Sequence, residues 1–252
     1  MDAFRGIYGE AEIREDVAKV ADCKRKFAAG RTERELRDKK LATVVEAIFY
    51  DQVSRNGWLG AETQVLRSSE FDDYANGVDF ITEYNRGNIA AYLAMAVDAT
   101  WSSHPGSKFN RIREELVRGR LGKIKYLKAG GRPQRGREVP KVVVGASEKN
   151  LAEVINLWVD GDDAALADHP IQVLFLEEIV HQLEEFRKFS EKRKHEKNVA
   201  IFDEYLAILR PILAKKRQAI APTDRYKNDL VKNGIDASLV GLNFELPPTK
   251  AA

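Results

Sequence analysis

The sequence predicts an α/β protein in which a small mixed sheet is flanked by helices and a long helical pair lies near the C-terminal end. Apolar residues recur at helical spacing before residue 57, short strand-forming runs fill 78 to 145, and two long helical segments follow Pro170. We expect N-terminal helices at 1–60, an α/β core at 61–160, a helical hairpin packed on that core at 161–220, and an irregular tail at 221–252.

Two helices are predicted at the start of the chain. The first covers Glu10 to Ala29, and Gly30 suits the left-handed position after a helix. Thr32, with Glu35 three residues later, forms a capping-box pattern that begins the second helix. Asn56-Gly57 ends it.

The segments Val78 to Tyr84 and Tyr92 to Trp101 are rich in strand-forming residues and predict an antiparallel hairpin. A basic helix is expected at Lys108 to Arg118, with Phe109, Ile112 and Leu116 turned inward.

Two more strands are expected at Gly122 to Lys128 and Lys141 to Gly145. The residues between them, 129 to 140, are rich in glycine and arginine, and predict a mobile loop.

The C-terminal half is predicted to be mainly helical. Ser147 is expected to cap a helix. Pro170 suits the first turn of a helix reaching about Lys194, and another helix covers about Val199 to Ala219. Pro211 is expected to kink that last helix.

Composition limits the kind of protein. The single cysteine, Cys23, excludes an internal disulfide and a zinc site made of cysteines. The longest apolar run, Ile89 to Val97, is much shorter than the about 20 residues that span a bilayer. Residues 1–16 lack the apolar core of a signal peptide. We therefore expect a cytoplasmic protein without a membrane partner.

The net charge of +2 conceals two segments of opposite charge. Residues 62–101 carry seven acidic and two basic side chains, a net charge of −5, whereas residues 108–141 carry twelve basic and three acidic ones, a net charge of +9. The basic segment is either solvated surface or a site for the phosphates of a nucleic acid. The candidate nucleic-acid contacts are Arg111, Arg113, Arg118, Arg120, Lys125, Lys128, Arg132 and Arg135.

Two aspartates lie inside the predicted hairpin. Val78 and Phe80 flank Asp79, and Asp98 lies within the run from Ala96 to Thr100. A carboxylate in an apolar strand is costly to bury without a partner or a metal ion. The alternatives are an edge strand or a structural hydrogen bond.

From Val44 to Gly145 the chain resembles the PD-(D/E)XK nuclease superfamily, in which a helix bearing an acid precedes a hairpin with an aspartate on one strand and (D/E)-x-K on the next. Asp79 matches the first aspartate, Asp98 the acid of the second strand, and Glu46 is the candidate helix acid. The resemblance implies a restriction-endonuclease-like core.

The match departs from the family pattern at Thr100, which stands where the family has lysine. Lysine migrates in this superfamily, so Lys108 or Lys123 is expected to take its role. The resemblance implies Mg²⁺- or Mn²⁺-dependent hydrolysis of phosphodiester bonds in DNA or RNA, because hard cations bind carboxylate oxygens.

The strand register decides which acids meet. A turn centred between residues 88 and 89 pairs Asp79 with Asp98. A tight turn at Arg86-Gly87 instead pairs Asp79 with Ala94 and makes Asp73 the better partner of Asp98. The expected metal ligands are therefore Asp79 and Asp98, with Asp73 as a third candidate.

Two other functions stay open. One is a non-catalytic nucleic-acid-binding protein that keeps the fold. The other is an interaction protein whose helices from Pro170 to Ala219 dock a protein partner or a second copy of the chain. Glu178 and His181 have the spacing used in di-iron bundles, but a second such motif is missing, so a polar role is expected.

Overall fold

The computed structural model describes residues 1–28, 32–86, 89–98, 106–220, 226 and 229–242. A short 3-10 turn at Asp2–Phe4 comes first. The helices are α1 Glu10–Ala28, α2 Glu33–Asn56, α3 Glu70–Asn76, α4 Gly106–Val117, α5 Glu148–Asp160, α6 Asp163–Ala167, α7 Ile171–Lys192, α8 Glu196–Ala219 and α9 Leu230–Leu242. The strands are β1 Thr63–Arg67, β2 Phe80–Arg86, β3 Ile89–Asp98, β4 Gly122–Ala129, β5 Arg132–Val139 and β6 Lys141–Gly145. Within these ranges no helix has the length and apolar character needed to cross a bilayer.

The main sheet has the strand order β1-β2-β3-β6. Strands β1, β2 and β3 pair antiparallel, whereas β6 pairs parallel with β3. The chain between β3 and β6 includes α4, as expected because parallel neighbours need a long crossover connection. The predicted α/β class, with a mixed sheet flanked by helices, is confirmed, and α7 packs on α8 as the predicted helical pair.

The register of the β2–β3 hairpin differs from both predicted registers. Phe80 pairs with Met95 and Ile81 with Ala94, so continuing the ladder by one residue sets Asp79 opposite Ala96. Both predicted registers were wrong because apolar side chains cover both faces of the sheet. Phe80 and Ile81 are buried in different clusters, so the sequence lacks the polar–apolar alternation that fixes a register.

The N-terminal helices are confirmed. The predicted capping box begins α2, with the Thr32 side chain accepting from the Glu35 amide and Glu35 bonding back, and Gly57 ends the helix in the left-handed conformation. Helix α3 was not predicted, because its acidic sequence resembles a turn. Ser69 caps it, and Gly77 ends it at φ +62°.

Asp72 fixes α3 on β4. Its buried carboxylate accepts hydrogen bonds from the backbone amides of Lys125 at 2.8 Å and Tyr126 at 2.9 Å. It also accepts from the Ser69 hydroxyl at 2.8 Å and the Asn76 amide at 2.7 Å. Asp72 is therefore a structural acid.

Strand β5 replaces the mobile loop predicted at 129–140. It pairs antiparallel with β4 in a separate two-stranded sheet. The strands approach so closely that a Cβ at Gly136 would lie 2.2 Å from the Ile124 carbonyl oxygen. The Tyr8 hydroxyl joins this ladder, donating to the Lys125 carbonyl at 2.7 Å and accepting from the Gly136 amide at 2.8 Å. Because most β5 side chains are exposed, its sequence shows no apolar pattern.

Helix α7 covers the open edge of β6. The Gln182 side chain accepts from the Val143 amide at 2.8 Å and donates to the Val143 carbonyl at 2.6 Å. Glu178 accepts from the Gly145 amide at 3.0 Å. These bonds replace a neighbouring strand at an edge that would otherwise present free backbone groups.

Helix α9 corrects the prediction of an irregular tail. Val231, Ile235 and Leu239 are buried against the main core. Buried Asp229 caps the helix by accepting from the Val231 amide at 2.8 Å, and it also accepts from the Ser147 amide at 2.9 Å. The helical spacing of these apolar residues was missed because the surrounding glycines and prolines indicate irregular structure.

Replacing Asp72 tests its structural role. Asp72→Asn leaves at least one buried donor unpaired and sets an amide against donors, so we expect the free energy of unfolding to fall by about 3 kcal/mol. Urea denaturation measures this change.

Glu70→Gln is the matched control on the same helix. Glu70 makes only an exposed ion pair with Lys24, so its loss should cost less than about 1 kcal/mol. Equal stability of the two variants would show that Asp72 does not hold α3 in place.

Candidate active site

A cavity of about 580 Å³ opens between the N-terminal helices, α3, α4 and the start of β6. Helix α1 supplies one aromatic residue, α2 a lysine and an acid, α3 an acid and a tyrosine, and α4 and β6 the remaining cations. The lining residues are Phe27, Lys39, Ala42, Thr43, Glu46, Asp73, Tyr74, Gly77, Lys108, Arg111 and Lys141.

Three carboxylates influence one another at this cavity. Burial, together with the negative charges of Asp79 and Asp73, raises the pKa of Glu46 to about 7. Burial of the carboxyl group and the charge of Asp79 raise the pKa of Asp73 to about 6, although the residue as a whole is exposed. Glu46 is half-buried, whereas Asp73 is exposed. The positive charge of Lys108 opposes both shifts.

Two cations approach the C-terminal end of α3. The ammonium of Lys141, a buried residue, donates to the Asn76 carbonyl at 2.7 Å, and Arg111 donates to the Ala75 carbonyl at 3.0 Å. A Cβ at Gly77 would lie 3.3 Å from the Arg111 Nη1. Positive side chains are stabilised at a helix C-terminus, where the backbone carbonyls carry partial negative charge.

Lys141 was not predicted as a site residue. Burial lowers its pKa to about 8, while the negative charge of Glu115 acts in the opposite direction. The signal in the sequence is a lysine directly before Val142-Val143-Val144, which are fully buried. The side chain of a lysine at the first position of a buried strand cannot easily extend to solvent. It must therefore contact a partner or line a cavity.

The structure brings together some of the predicted site residues. Glu46, Asp73 and Lys108 line the cavity, and Asp79, directly before β2, lies within electrostatic range of Glu46. Lys123 is exposed on β4, where it pairs with Glu138, and does not line the cavity.

Asp98 is described only at its backbone. It pairs with Gly145 of β6 and lies two residues beyond Ala96, the position opposite Asp79. Its side chain and all of Thr100 lie outside the described residues.

The predicted nucleic-acid contacts lie in four different environments. Arg111 lines the cavity, and Arg113 is half-buried. The exposed members are Arg118, Arg120, Lys128, Arg132 and Arg135.

Lys125 does not fit that prediction. It is buried, and its ammonium pairs with Glu12 at 2.6 Å and Asp16 at 2.5 Å. The aromatic rings of Tyr8, Phe71 and Tyr126 surround it. These internal partners hold the ammonium, so Lys125 stabilises the packing of α1 on β4.

Among the residues whose side chains are described, no three or more histidine, cysteine, aspartate or glutamate side chains are placed to hold a metal ion. A scan against protein-family models matches no family. Searches of curated proteins and of solved structures find no similar protein.

The raised pKa of Glu46 predicts a dependence of stability on pH. The folded chain binds this proton more tightly than the unfolded chain, so its contribution to stability is lost as pH rises from about 4.5 through about 7. Glu46→Gln removes the buried charge. We expect it to raise the free energy of unfolding at pH 8 by an amount on the order of 1–3 kcal/mol, and to have little effect below pH 4.5.

Urea denaturation at several pH values measures this difference. Glu114→Gln, at an exposed position on α4, is the control and should change little at any pH. A Glu46→Gln variant as stable as the wild type from pH 4.5 to 8 would contradict the assignment of a buried charge.

Proposed function

We propose that the chain is a metal-dependent nuclease that hydrolyses phosphodiester bonds in DNA or RNA. One observation carries this proposal, the convergence of Glu46, Asp73, Lys108 and Lys141 at a single cavity, with Asp79 close enough to act electrostatically on Glu46, Asp73 and Lys141. These residues come from five separate parts of the chain. Acids that repel one another are costly to hold together unless a cation or a proton offsets their charge.

The order of the elements supports the resemblance to the PD-(D/E)XK superfamily. Helix α2, the β2–β3 hairpin, helix α4 and strand β6 follow one another as helix, hairpin, helix and strand. On this proposal, the sheet β1-β2-β3-β6 with α2 and α4 is a restriction-endonuclease-like core. Strand β1 and helix α3 lie between α2 and the hairpin, and β4–β5 lies between α4 and β6.

The donor set suits Mg²⁺ or Mn²⁺. Asp79 and Asp98 are the proposed ligands, assisted by Glu46 or Asp73. Mg²⁺ needs only one or two protein carboxylates, because water and phosphate oxygens supply the other ligands. When bound, such an ion polarises the scissile phosphate and lowers the pKa of an attacking water.

Lysines at the cavity take the role of the family lysine in this proposal. Lys108 and Lys141 both line the cavity, and Lys141 is held by its bond to the Asn76 carbonyl. Their ammonium groups offset negative charge that develops on the phosphate. Arg111, which lines the cavity, binds the phosphate backbone in this proposal.

The activity is tested with the purified chain on plasmid DNA, single-stranded DNA and RNA. We expect cleavage of at least one substrate with Mn²⁺ or Mg²⁺, none with EDTA, and none for Asp79→Asn. Cleavage unaffected by Asp79→Asn would contradict the site. Binding that weakens steeply with salt, without any cleavage, would favour the non-catalytic nucleic-acid-binding alternative.

Metal binding has a readout that does not require activity. An ion that binds only the folded chain stabilises it by about 2.7 kcal/mol at 100 times its dissociation constant. We expect Mn²⁺ to raise the thermal unfolding midpoint of the wild type and of Glu114→Gln, but not that of Asp79→Asn.

The lysines are tested separately. We expect Lys108→Met and Lys141→Met each to lower the cleavage rate by about 100-fold, since removing one group that stabilises transition-state charge has this order of effect. Methionine keeps the apolar part of the side chain and removes the charge. Lys123→Met is the control and should cleave like the wild type. If Lys123→Met lost cleavage while Lys108→Met and Lys141→Met kept it, the assignment of Lys108 and Lys141 to the lysine role would be wrong.

A further inference from the structure

Phe27 is exposed at the candidate active site. It lies in the last turn of α1, is 54% exposed and lines the cavity. Within the described part of the chain the other exposed large apolar residues, Val17, Leu36, Trp158, Val159, Leu230 and Val240, do not line the cavity. A phenylalanine exposed at this position offers an aromatic surface to a ligand.

Tyr74 supports Phe27 from within the cavity. The two ring centroids lie 6.0 Å apart with the planes tilted by 52°. Lys24, which pairs with Glu70, also contacts the Tyr74 ring at 5.5 Å from its centroid. Tyr74 is half-buried whereas Phe27 is exposed, so Phe27 is the ring available for a further stacking contact.

The charges around the aromatic pair suit a nucleotide. Lys39, Lys108 and Arg111 line the same cavity as Phe27 and provide cations for phosphate oxygens. Aromatic rings beside a positively charged groove are the usual means of binding single-stranded nucleic acid, because every base has a face that stacks.

The volume of the cavity favours an unpaired base over a duplex. A volume of about 580 Å³ lies in the range of small-molecule pockets, which is enough for a nucleotide but far too small for a duplex. In a duplex the faces of each base are covered by its neighbours, so a base can stack on Phe27 only after leaving the helix. The exposed arginines offer contacts to phosphates alone.

We infer that the cavity receives an unpaired base stacked on Phe27, and that the preferred substrate is single-stranded nucleic acid. This inference rests on the proposed nuclease function, because it places the base beside the acids and lysines of the candidate active site. Phe27 acts in substrate binding and has no part in the chemistry itself.

The test uses the full chain in EDTA, where no cleavage occurs. Fluorescence anisotropy measures the binding of a labelled twelve-nucleotide single strand and of a duplex of the same sequence at one fixed, low salt concentration. We expect Phe27→Ala to weaken single-strand binding by about 5- to 100-fold, the loss of one base–aromatic stack. Duplex binding should not change.

Two variants make the comparison specific. Val17→Ala removes another exposed apolar side chain from α1, away from the cavity, and should bind both ligands like the wild type. Phe27→Trp keeps an aromatic surface and should restore single-strand binding. Equal thermal unfolding midpoints for Phe27→Ala and Val17→Ala confirm that the fold is intact.

Three results would overturn the inference. They are single-strand binding that Phe27→Ala leaves unchanged, an equal loss of duplex binding in that variant, and a labelled mononucleotide that binds as tightly as the strand. Failure of the proposed function is a separate result. A single strand that binds through Phe27 but is never cut with Mn²⁺ would refute the nuclease proposal alone.

Discussion

The buried carboxylate of Asp72 determines where the candidate active site forms. Helix α3 has only seven residues, too few for a stable helix by itself. Two hydrogen bonds from the backbone of β4 to Asp72 fix this helix on the strand, and two more from Ser69 and Asn76 hold the carboxylate within α3. These bonds set the positions of Asp73 and Tyr74, the next two residues. Gly77 then ends the helix and leaves space for Arg111 and Lys141. Asp72 therefore stabilises the fold, and this places its neighbour Asp73 at the cavity.

Burial of charged groups at the cavity reduces the stability of the fold. Lys108 opposes the raised pKa values of Glu46 and Asp73, yet burial and Asp79 outweigh it. The pKa of Lys141 is lowered and not raised, because burial disfavours the charged form of a lysine as it does that of a carboxylate. A chain selected for stability alone would lose these groups, whereas sites that bind a charged ligand keep them. In the proposed function, a metal ion would offset the negative charge of the carboxylates, and a phosphate would offset the positive charge of the lysines.

Much of the fold could be predicted from the sequence, and less of the site. Helical periodicity and caps predicted α1, α2, α4, α5, α7 and α8, because their apolar residues recur at helical spacing. Helix α3 and strand β5 were missed because the bonds that hold them, between Asp72 and the Lys125 amide and between Tyr8 and the Gly136 amide, join residues far apart in the sequence. The hairpin register was missed because both faces of the sheet are apolar. Family resemblance placed Glu46 and Lys108 at the site, whereas Lys141 was counted only among basic residues. Its position depends on the parallel pairing of β6 with β3, which no local pattern encodes.

The C-terminal helices have a structural task that connects them to the cavity. Gln182 and Glu178 of α7 bind the backbone of β6 at Val143 and Gly145, the strand that begins with Lys141. Burial raises the pKa of Glu178 well above its ordinary value, which favours the neutral form of this carboxyl group. The apolar faces of α7 and α8 are buried in the core. Through α7, the helical pair therefore covers the edge of the sheet. This contact fixes β6 and, with it, Lys141, the first residue of the strand.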